Sequence, residues 1–457
     1  MRRRKRDLAA RVNGELALEF TAQGLTSYSG LELLGRFLRD IGFSERLRRH
    51  LKSCDPGGDY GSVSMVRLLL AMLVVGARRL RHVRYLTDDP VVARFAGLKS
   101  LPTDRSLSRW LSKCQASVRA ALFSLNVELV ADIVRPLKLK RLTLDLDGTV
   151  LSTGLSVERA FRGFNPHHRK VPSYYPITAY LAQTGHVLGV KNRSGNVHDG
   201  KAGMPFLRDL FRQAQEAFPD TLFEVRLDGA FFRQDIVTWL EHRAEYAIRV
   251  PFYRWIGLKD LIRERCRWKR VAEGIDGFDT QVLLGPWSQK LRVAIYRKRV
   301  FHRTAKNYQL DLFDPDDGIW EYSAITTNKP LGLEALWHFM AGRGAHEKAI
   351  GELKSGYAFD AIPTQNYAAN STWQILSALA HNVVTSFQLA TGAPRRPRTR
   401  KRTAHYVLKS IHTLRYEIFH RAGILRRPQG RLTLTLSANL PTRDLFRKLV
   451  GKLVQAV

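Results

Sequence analysis

The chain has 457 residues, 44% hydrophobic and 25% charged, the composition of a folded globular protein and not of a disordered one. Its length exceeds what one hydrophobic core usually supports, so roughly two to four structural units are expected. Lys and Arg number 74 against 41 Asp and Glu, a formal net charge of +33, and basic residues recur in every segment; this points to a long nucleic acid rather than a small anion, a solvated basic face being the plain alternative.

At the start, Arg2, Arg3, Arg4, Lys5 and Arg6 are followed by an apolar stretch broken by Arg11, Asn13 and Glu15, too soon for a secretory signal. The longest apolar run, 68–76, is far short of a membrane span, so no membrane partner is expected. Cys54, Cys114 and Cys266 have neither metal-ligand nor disulfide-framework spacing, and the expected setting is cytoplasmic.

From 31 to 134 the pattern is helical: Leu33, Leu34, Phe37, Leu38 and Ile41 recur at three-to-four spacing, as do Val66, Leu69, Leu70 and Leu73. Residues 1–135 are read as a helical N-terminal domain for DNA binding. Near its end, 101–111 offers cap residues and then a short helix with Arg105, Arg109 and Trp110. This is the layout of a helix-turn-helix recognition element, or of an ordinary capped surface helix.

After 140 the period changes. Strands are expected at 141–147, 174–183 and 187–191, the last two joined by a turn at Gly185. A helix over 203–218, a strand over 222–227 ending at Asp228, a helix over 234–242 and a strand over 246–250 follow. Three strands and then alternating helix and strand give an α/β fold, a mixed sheet of ribonuclease-H-like type. Its first part is expected at 136–251, a β-rich insertion at 252–329 with strands at 281–284, 291–296 and 320–326, and its second part at 330–393 with helices at 333–354 and 371–389. The remainder, 394–457, is read as a flexible basic linker (394–402) and a small C-terminal unit with a strand at 431–436.

Three acids stand where a nuclease-like sheet needs them. Asp147 ends the first strand, Asp228 ends a later one, and Glu347 lies on a helix beyond the insertion. Hard divalent cations such as Mg²⁺ take carboxylate oxygens, and a pair of ions about 3.5–4 Å apart can hold the attacking and leaving oxygens of a phosphodiester displacement. Surface acids at strand and helix ends are the bland reading. Asp145, two residues before Asp147 on the same strand face, is an alternative ligand or a support for it, and Glu352 is an alternative to Glu347. In His338-Phe-Met-Ala-Gly-Arg343-Gly-Ala-His-Glu347-Lys-Ala-Ile-Gly-Glu-Leu-Lys354, helical geometry places Glu347 and Lys354 two turns apart on one face. A carboxylate for metal and a lysine for phosphate would thus point the same way. Residues 161–170 form a basic loop in which Arg169 and Lys170 are assigned to phosphate contact; its adjacent His167 and His168 lack a third ligand nearby.

On these motifs the chain resembles DDE transposases of bacterial insertion sequences, in the branch whose third motif is Tyr, two residues, Arg, three residues, Glu, six residues, Lys. Arg343, Glu347 and Lys354 match it, while Met340 stands at the tyrosine position. Within that branch it is similar to the insertion sequence thirteen-eighty group through Leu144-Asp-Leu-Asp-Gly-Thr149, Gly163-Phe-Asn-Pro-His-His168, Tyr175-Pro176, Gly195-Asn-Val-His198 and Arg226-Leu-Asp228, so the likeness covers most of the chain. The resemblance implies a ribonuclease-H-like core and two Mg²⁺ (or Mn²⁺) ions per site. It also implies recognition of terminal inverted repeats and of target DNA, a homodimer in the DNA complex, and a nucleoid-associated location. Asp147, Asp228 and Glu347 would be the catalytic, metal-holding carboxylates, with Arg343 and Lys354 on flanking phosphates.

Two rival readings remain at this stage. Asp145-Leu-Asp-Gly-Thr149 also fits the first motif of haloacid-dehalogenase-like phosphatases, with Asp145 as nucleophile, although no matching later motif follows and +33 suits no small phosphorylated substrate. A catalytically inactive, transposase-derived DNA-binding protein is the other.

Overall fold

The computed structural model describes residues 18, 20–21, 24–163, 170–197, 203–300, 320–397, 399 and 403–455. After a two-residue strand β1 (Leu25–Thr26) come α1 (Leu31–Asp40), α2 (Phe43–Leu51) and α3 (Ser62–Val74). A 3₁₀ segment (Leu80–Leu86) leads to α4 (Pro90–Ala96), which begins where Asp89 accepts hydrogen bonds from the Val91 and Val92 N–H groups at 3.0 and 3.1 Å and ends at Gly97 with a φ of 73°. A side-chain cap with proline in the first turn, and glycine in the left-handed region after the last, are the ordinary start and stop of a helix. α5 (Asp104–Lys113) is capped by Thr103, whose Oγ1 accepts from the Ser106 N–H at 3.2 Å, and α6 (Ala116–Val134) then runs to the sheet.

The sheet region contains β2 (Arg141–Gly148), β3 (Leu151–Ser152), β4 (Ser173–Tyr174), β5 (Ile177–Leu181), β6 (His186–Lys191), α7 (Gly203–Ala217), β7 (Leu222–Leu227), α8 (Gln234–Glu241) and β8 (Glu245–Val250). It continues with α9 (Leu258–Arg263), β9 (Lys269–Ala272), β10 (Ile275–Leu284), β11 (Gln289–Arg299) and β12 (Trp320–Thr327). Among the described residues nine strands form one sheet in the order β6-β5-β2-β7-β8-β12-β11-β10-β9. β2, β7 and β8 are parallel neighbours, and the other pairings are antiparallel. Gly185, at φ 84°, makes the turn between β5 and β6, a conformation glycine adopts without strain. The strands expected as an insertion therefore extend the central sheet, because β12 pairs with β8 from Thr327↔Ala247 to Ala324↔Val250.

The chain closes with α10 (Leu333–Ala341), α11 (Gly344–Tyr357), α12 (Tyr367–Ala390), α13 (Ile411–Leu414), β13 (Gly423–Arg426), β14 (Thr433–Leu436) and α14 (Leu440–Gln455). α12 is buried along most of its 24 residues. Its Trp373, Leu376, Leu379 and Phe387 share one apolar core with α1, α3, α5, Ile411, Phe419, Leu449 and Leu453. The C-terminal residues are thus not a separate unit: they complete the helical half, and β13 pairs with β1. The linker is also held where it is described. Arg395 bridges to Tyr406, the Arg396 Nε donates to the Tyr406 carbonyl at 2.8 Å, and the His405 N–H donates to the Gln183 carbonyl at 2.8 Å. Among the described residues no helix is long and apolar enough to cross a membrane.

Candidate active site

Strand alternation builds the site. In β2, Leu142, Leu144 and Leu146 enter the core shared with α7 and α8, as do Phe223, Val225 and Leu227 of β7. With a side-chain period of two, Thr143, Asp145 and Asp147 must share the opposite face of β2, and Glu224, Arg226 and Asp228 the same face of β7. The strands are parallel with Asp145 opposite Arg226. Two residues further along both, Asp147 and Asp228 become neighbours at the carboxyl ends of adjacent strands, where open α/β sheets place their ligands.

Asp145 and Arg226 form a fully buried bidentate pair, Nε to Oδ1 at 2.5 Å and Nη2 to Oδ2 at 2.7 Å, with both side chains at 0% exposure. Burial pushes the Asp145 carboxyl up from its ordinary value, against the pull of Arg226 and Arg343. Both its oxygens are engaged out of reach of solvent, so Asp145 can be neither a metal ligand nor a phosphatase nucleophile in this arrangement. Arg226 reaches onward through Nη1 to the Phe339 carbonyl at 2.7 Å and the Thr403 hydroxyl at 3.0 Å.

The helix expected over 333–354 is two helices that meet at Gly342 and Arg343. A Cβ at Gly342 would collide with the Arg226 guanidinium, so glycine lets the junction press against the buried pair. The break aims Arg343 at the carboxylates: its Nη2 lies 2.9 Å from Asp147 Oδ1 and 3.5 Å from Asp228 Oδ2. Burial opposes the charge on Arg343, but Asp147 and Asp228 outweigh it and hold its affinity for the proton above the ordinary value. The contact is charge pairing rather than an aligned hydrogen bond, since neither Nε nor Nη2 has a hydrogen-bond partner among the described residues. Met340, at the tyrosine position of the motif, is buried in the apolar core with Leu336 and Ile325.

α11 is seated by His346. Its Nε2 lies 2.9 Å from the Thr178 hydroxyl and its ring stacks on Tyr180 at 5.3 Å, with burial holding its pKa well below the ordinary value. Lys354 donates to the Val150 carbonyl at 3.1 Å; burial lowers its pKa, while Asp360 and Asp147 pull it up. Glu347 is exposed, one turn beyond Arg343 and within its electrostatic reach. Glu352 is occupied elsewhere: it accepts the Ile411 N–H at 2.8 Å, at the start of α13. The structure thus brings Asp147, Asp228 and Arg343 into contact with Lys354 nearby. Asp145 and Glu352 it assigns to packing.

As a metal site, the two aspartates fit in kind: oxygen donors from two strands already share one cation, the Arg343 guanidinium. Among the described residues no three His, Cys, Asp or Glu side chains are gathered closely enough to hold an ion. Glu347, exposed on α11, stands outside that contact.

Arg105 and Arg109 are exposed on α5 in the helical half, whereas Trp110 is buried and donates to the Ser62 hydroxyl at 3.1 Å. Lys170 is exposed, and Arg169, His167 and His168 lie outside the described residues. Arg226 and His346 were missed by sequence reasoning. The signal for Arg226 was present in its position two residues before Asp228, matching Asp145 before Asp147.

A family model described as transposase DDE domain group 1 matches residues 9–457. No curated protein matches the chain. Among solved structures, a cryo-EM structure of the piggyBac transposase synaptic complex with hairpin DNA is similar at 10% identity and a TM-score of 0.42, covering 94% of this chain and 85% of that chain.

Proposed function

We propose a DNA strand-cleaving and strand-joining role for this chain, which belongs to the DDE transposase family, domain group 1. It acts on double-stranded DNA at the terminal inverted repeats of an insertion sequence of the thirteen-eighty group and on target DNA, as a nucleoid-associated homodimer. The observation that carries this reading is the convergence of Asp147 and Asp228 on one cation, beside the helix that bears Glu347. The arrangement of β6, β5, β2, β7 and β8, three antiparallel strands and then two parallel ones, supports a ribonuclease-H-like core.

Asp147, Asp228 and Glu347 would hold two Mg²⁺ (or Mn²⁺) ions, which when bound supply activation of water and neutralisation of charge on the leaving oxygen. The protein's own part is positioning. The buried Asp145–Arg226 pair fixes the ends of β2 and β7, so that the two aspartates keep their separation. Arg343, displaced from them, presents a planar fork of donors to a phosphate beside the cut, and Lys354 offers a second charge two turns from Glu347. In the low-dielectric surroundings of half-buried groups these charges act more strongly than in water. Asp145, closed to solvent, leaves the phosphatase reading without a nucleophile.

The test is a duplex made from the DNA that flanks the gene, carrying its inverted repeat, incubated with the protein with and without Mg²⁺. The expected result is cation-dependent cleavage at the repeat boundary with a free 3′-hydroxyl. Binding without any cleavage under Mg²⁺ or Mn²⁺ would reject the catalytic reading in favour of a DNA-binding protein derived from a transposase.

A further inference from the structure

A cleft of about 630 Å³ lies where the helical half meets the end of α11, between Arg78, Arg79, Leu80 and Arg81, the first turn of α5, and residues 361–363. Four arginines and one acid line it. Two of those charges are already spent. Asp104 is paired with Arg84 at 3.0 Å, and Arg78 is paired with Asp360 at 2.7 Å while donating to the Lys354 carbonyl at 2.8 Å. Arg79, Arg81 and Arg105 are exposed and make no ion pair among the described residues. Three uncompensated guanidinium groups thus face one cleft, and Arg78 ties its wall to the residue that carries the Lys354 ammonium.

We infer that this cleft grips the phosphate backbone of duplex DNA beside the cleavage site, through Arg79, Arg81 and Arg105; the inference rests on the transposase reading above. The lining chemistry favours phosphates over bases or a free nucleotide. Among the described residues no aromatic ring lines the cleft to stack on a base, and the acid among them that could bind a sugar hydroxyl, Asp104, is held by Arg84. Arginine forks match phosphate oxygens, and contacts of this kind set the register of the duplex without reading sequence. The charge continues along α5, whose Arg109 and Lys113 are exposed four and eight residues beyond Arg105 on the same helix face. DNA held here would be anchored against the same segment that presents Glu347 and Lys354.

The experiment measures binding of a short synthetic duplex of arbitrary sequence across a salt series in EDTA, so that no cutting intrudes. It compares the full chain, its Arg79→Gln/Arg81→Gln/Arg105→Gln variant, and the corresponding triple Lys variant. Each phosphate contact contributes about 0.9 to the slope of log affinity against log salt. The Gln variant should therefore bind with a slope shallower by about 2.7, and the Lys variant should regain most of it. An unchanged slope in the Gln variant overturns the cleft while leaving the transposase reading intact; absence of duplex binding by the unmodified chain overturns both. A slope change seen on single-stranded but not duplex DNA also overturns it. If the triple Gln variant loses its native circular dichroism, the single variants Arg79→Gln, Arg81→Gln and Arg105→Gln at these exposed positions decide: each should lower the slope by about 0.9, and unchanged slopes in all three refute the assignment to phosphate.

Discussion

Replacing Asp145 with Asn removes the charge from one half of a buried pair and leaves the other half in place. The Arg226 guanidinium is at 0% exposure and spends two of its donors on Asp145 at 2.5 and 2.7 Å. Breaking such a pair by neutralising one partner typically costs about 3–5 kcal/mol. Asn retains one oxygen able to accept from Arg226, so a loss of about 3 kcal/mol is expected. Asp147→Asn is a different perturbation at a similar sequence position. Its side chain is 16% exposed and its partner Arg343 keeps Asp228, so no buried cation is left without an acid beside it, and stability should fall by less than in Asp145→Asn while Mg²⁺-dependent cleavage disappears. Urea unfolding at neutral pH, paired with cleavage of the repeat-end duplex, measures both. Unfolding of Asp145→Asn within about 1 kcal/mol of the parent, or normal cutting by Asp147→Asn, would show that the two aspartates do not divide structure and chemistry in this way.

Other outcomes follow from the same contacts. Gly342→Ala puts a Cβ into the Arg226 guanidinium and should cost about 1–3 kcal/mol by overpacking, read as a lower urea midpoint. His186 is buried between the Thr184 and Ser386 hydroxyls at 2.9 and 3.1 Å, and burial lowers its pKa from 6.5 to about 3. Below pH 6.5 the unfolded chain therefore binds a proton that the folded chain refuses, so stability falls as pH falls, by about 2 kcal/mol at pH 5 from this group alone. Unfolding at pH 7 and pH 5 should show that loss in the parent and a smaller one in His186→Gln; equal losses would remove His186 as the cause. Lys354→Ala should weaken binding of the repeat-end duplex and slow cleavage by about 10–100-fold, a loss of about 1.4–2.7 kcal/mol, since it removes a charge beside Asp147 and its bond to Val150. A rate within twofold of the parent would exclude it from phosphate contact.

How far the sequence disclosed this site depended on whether the determinant was local. The alternation in β2 and β7 placed Asp147 and Asp228 on strand ends, and the capped start of α5 followed from Thr103 and Ser106. The competition between Asp145 and Asp147 could not be resolved from one strand, because what decides it is Arg226, 81 positions away and opposite Asp145 only through the β2–β7 register. The periodicity of 333–354 ran unbroken through Gly342, yet the helix divides there, where the Arg343, Ala345 and His346 N–H groups donate to carbonyls three residues back, and the residue at the junction is glycine because the Arg226 guanidinium occupies the space a Cβ would need. Likewise, residues 252–329 have strand-like runs in any reading, but their joining the central sheet depends on β12 meeting β8. The C-terminal residues belong with the N-terminal helices through β1 and a shared core, a pairing of the two ends of the chain that no local pattern encodes.

Of the three carboxylates proposed to form the cleaving site, Asp147 and Asp228 both lie against Arg343, while Glu347 is exposed one turn away on α11. The most direct test compares Glu347→Gln with Glu352→Gln in Mg²⁺-dependent cleavage of the repeat-end duplex. Glu352 accepts the Ile411 N–H at 2.8 Å, so its variant should cut at close to the parent rate with a modest loss of stability. Glu347→Gln should bind the duplex normally and leave it uncut; unimpaired cutting by Glu347→Gln would contradict the account.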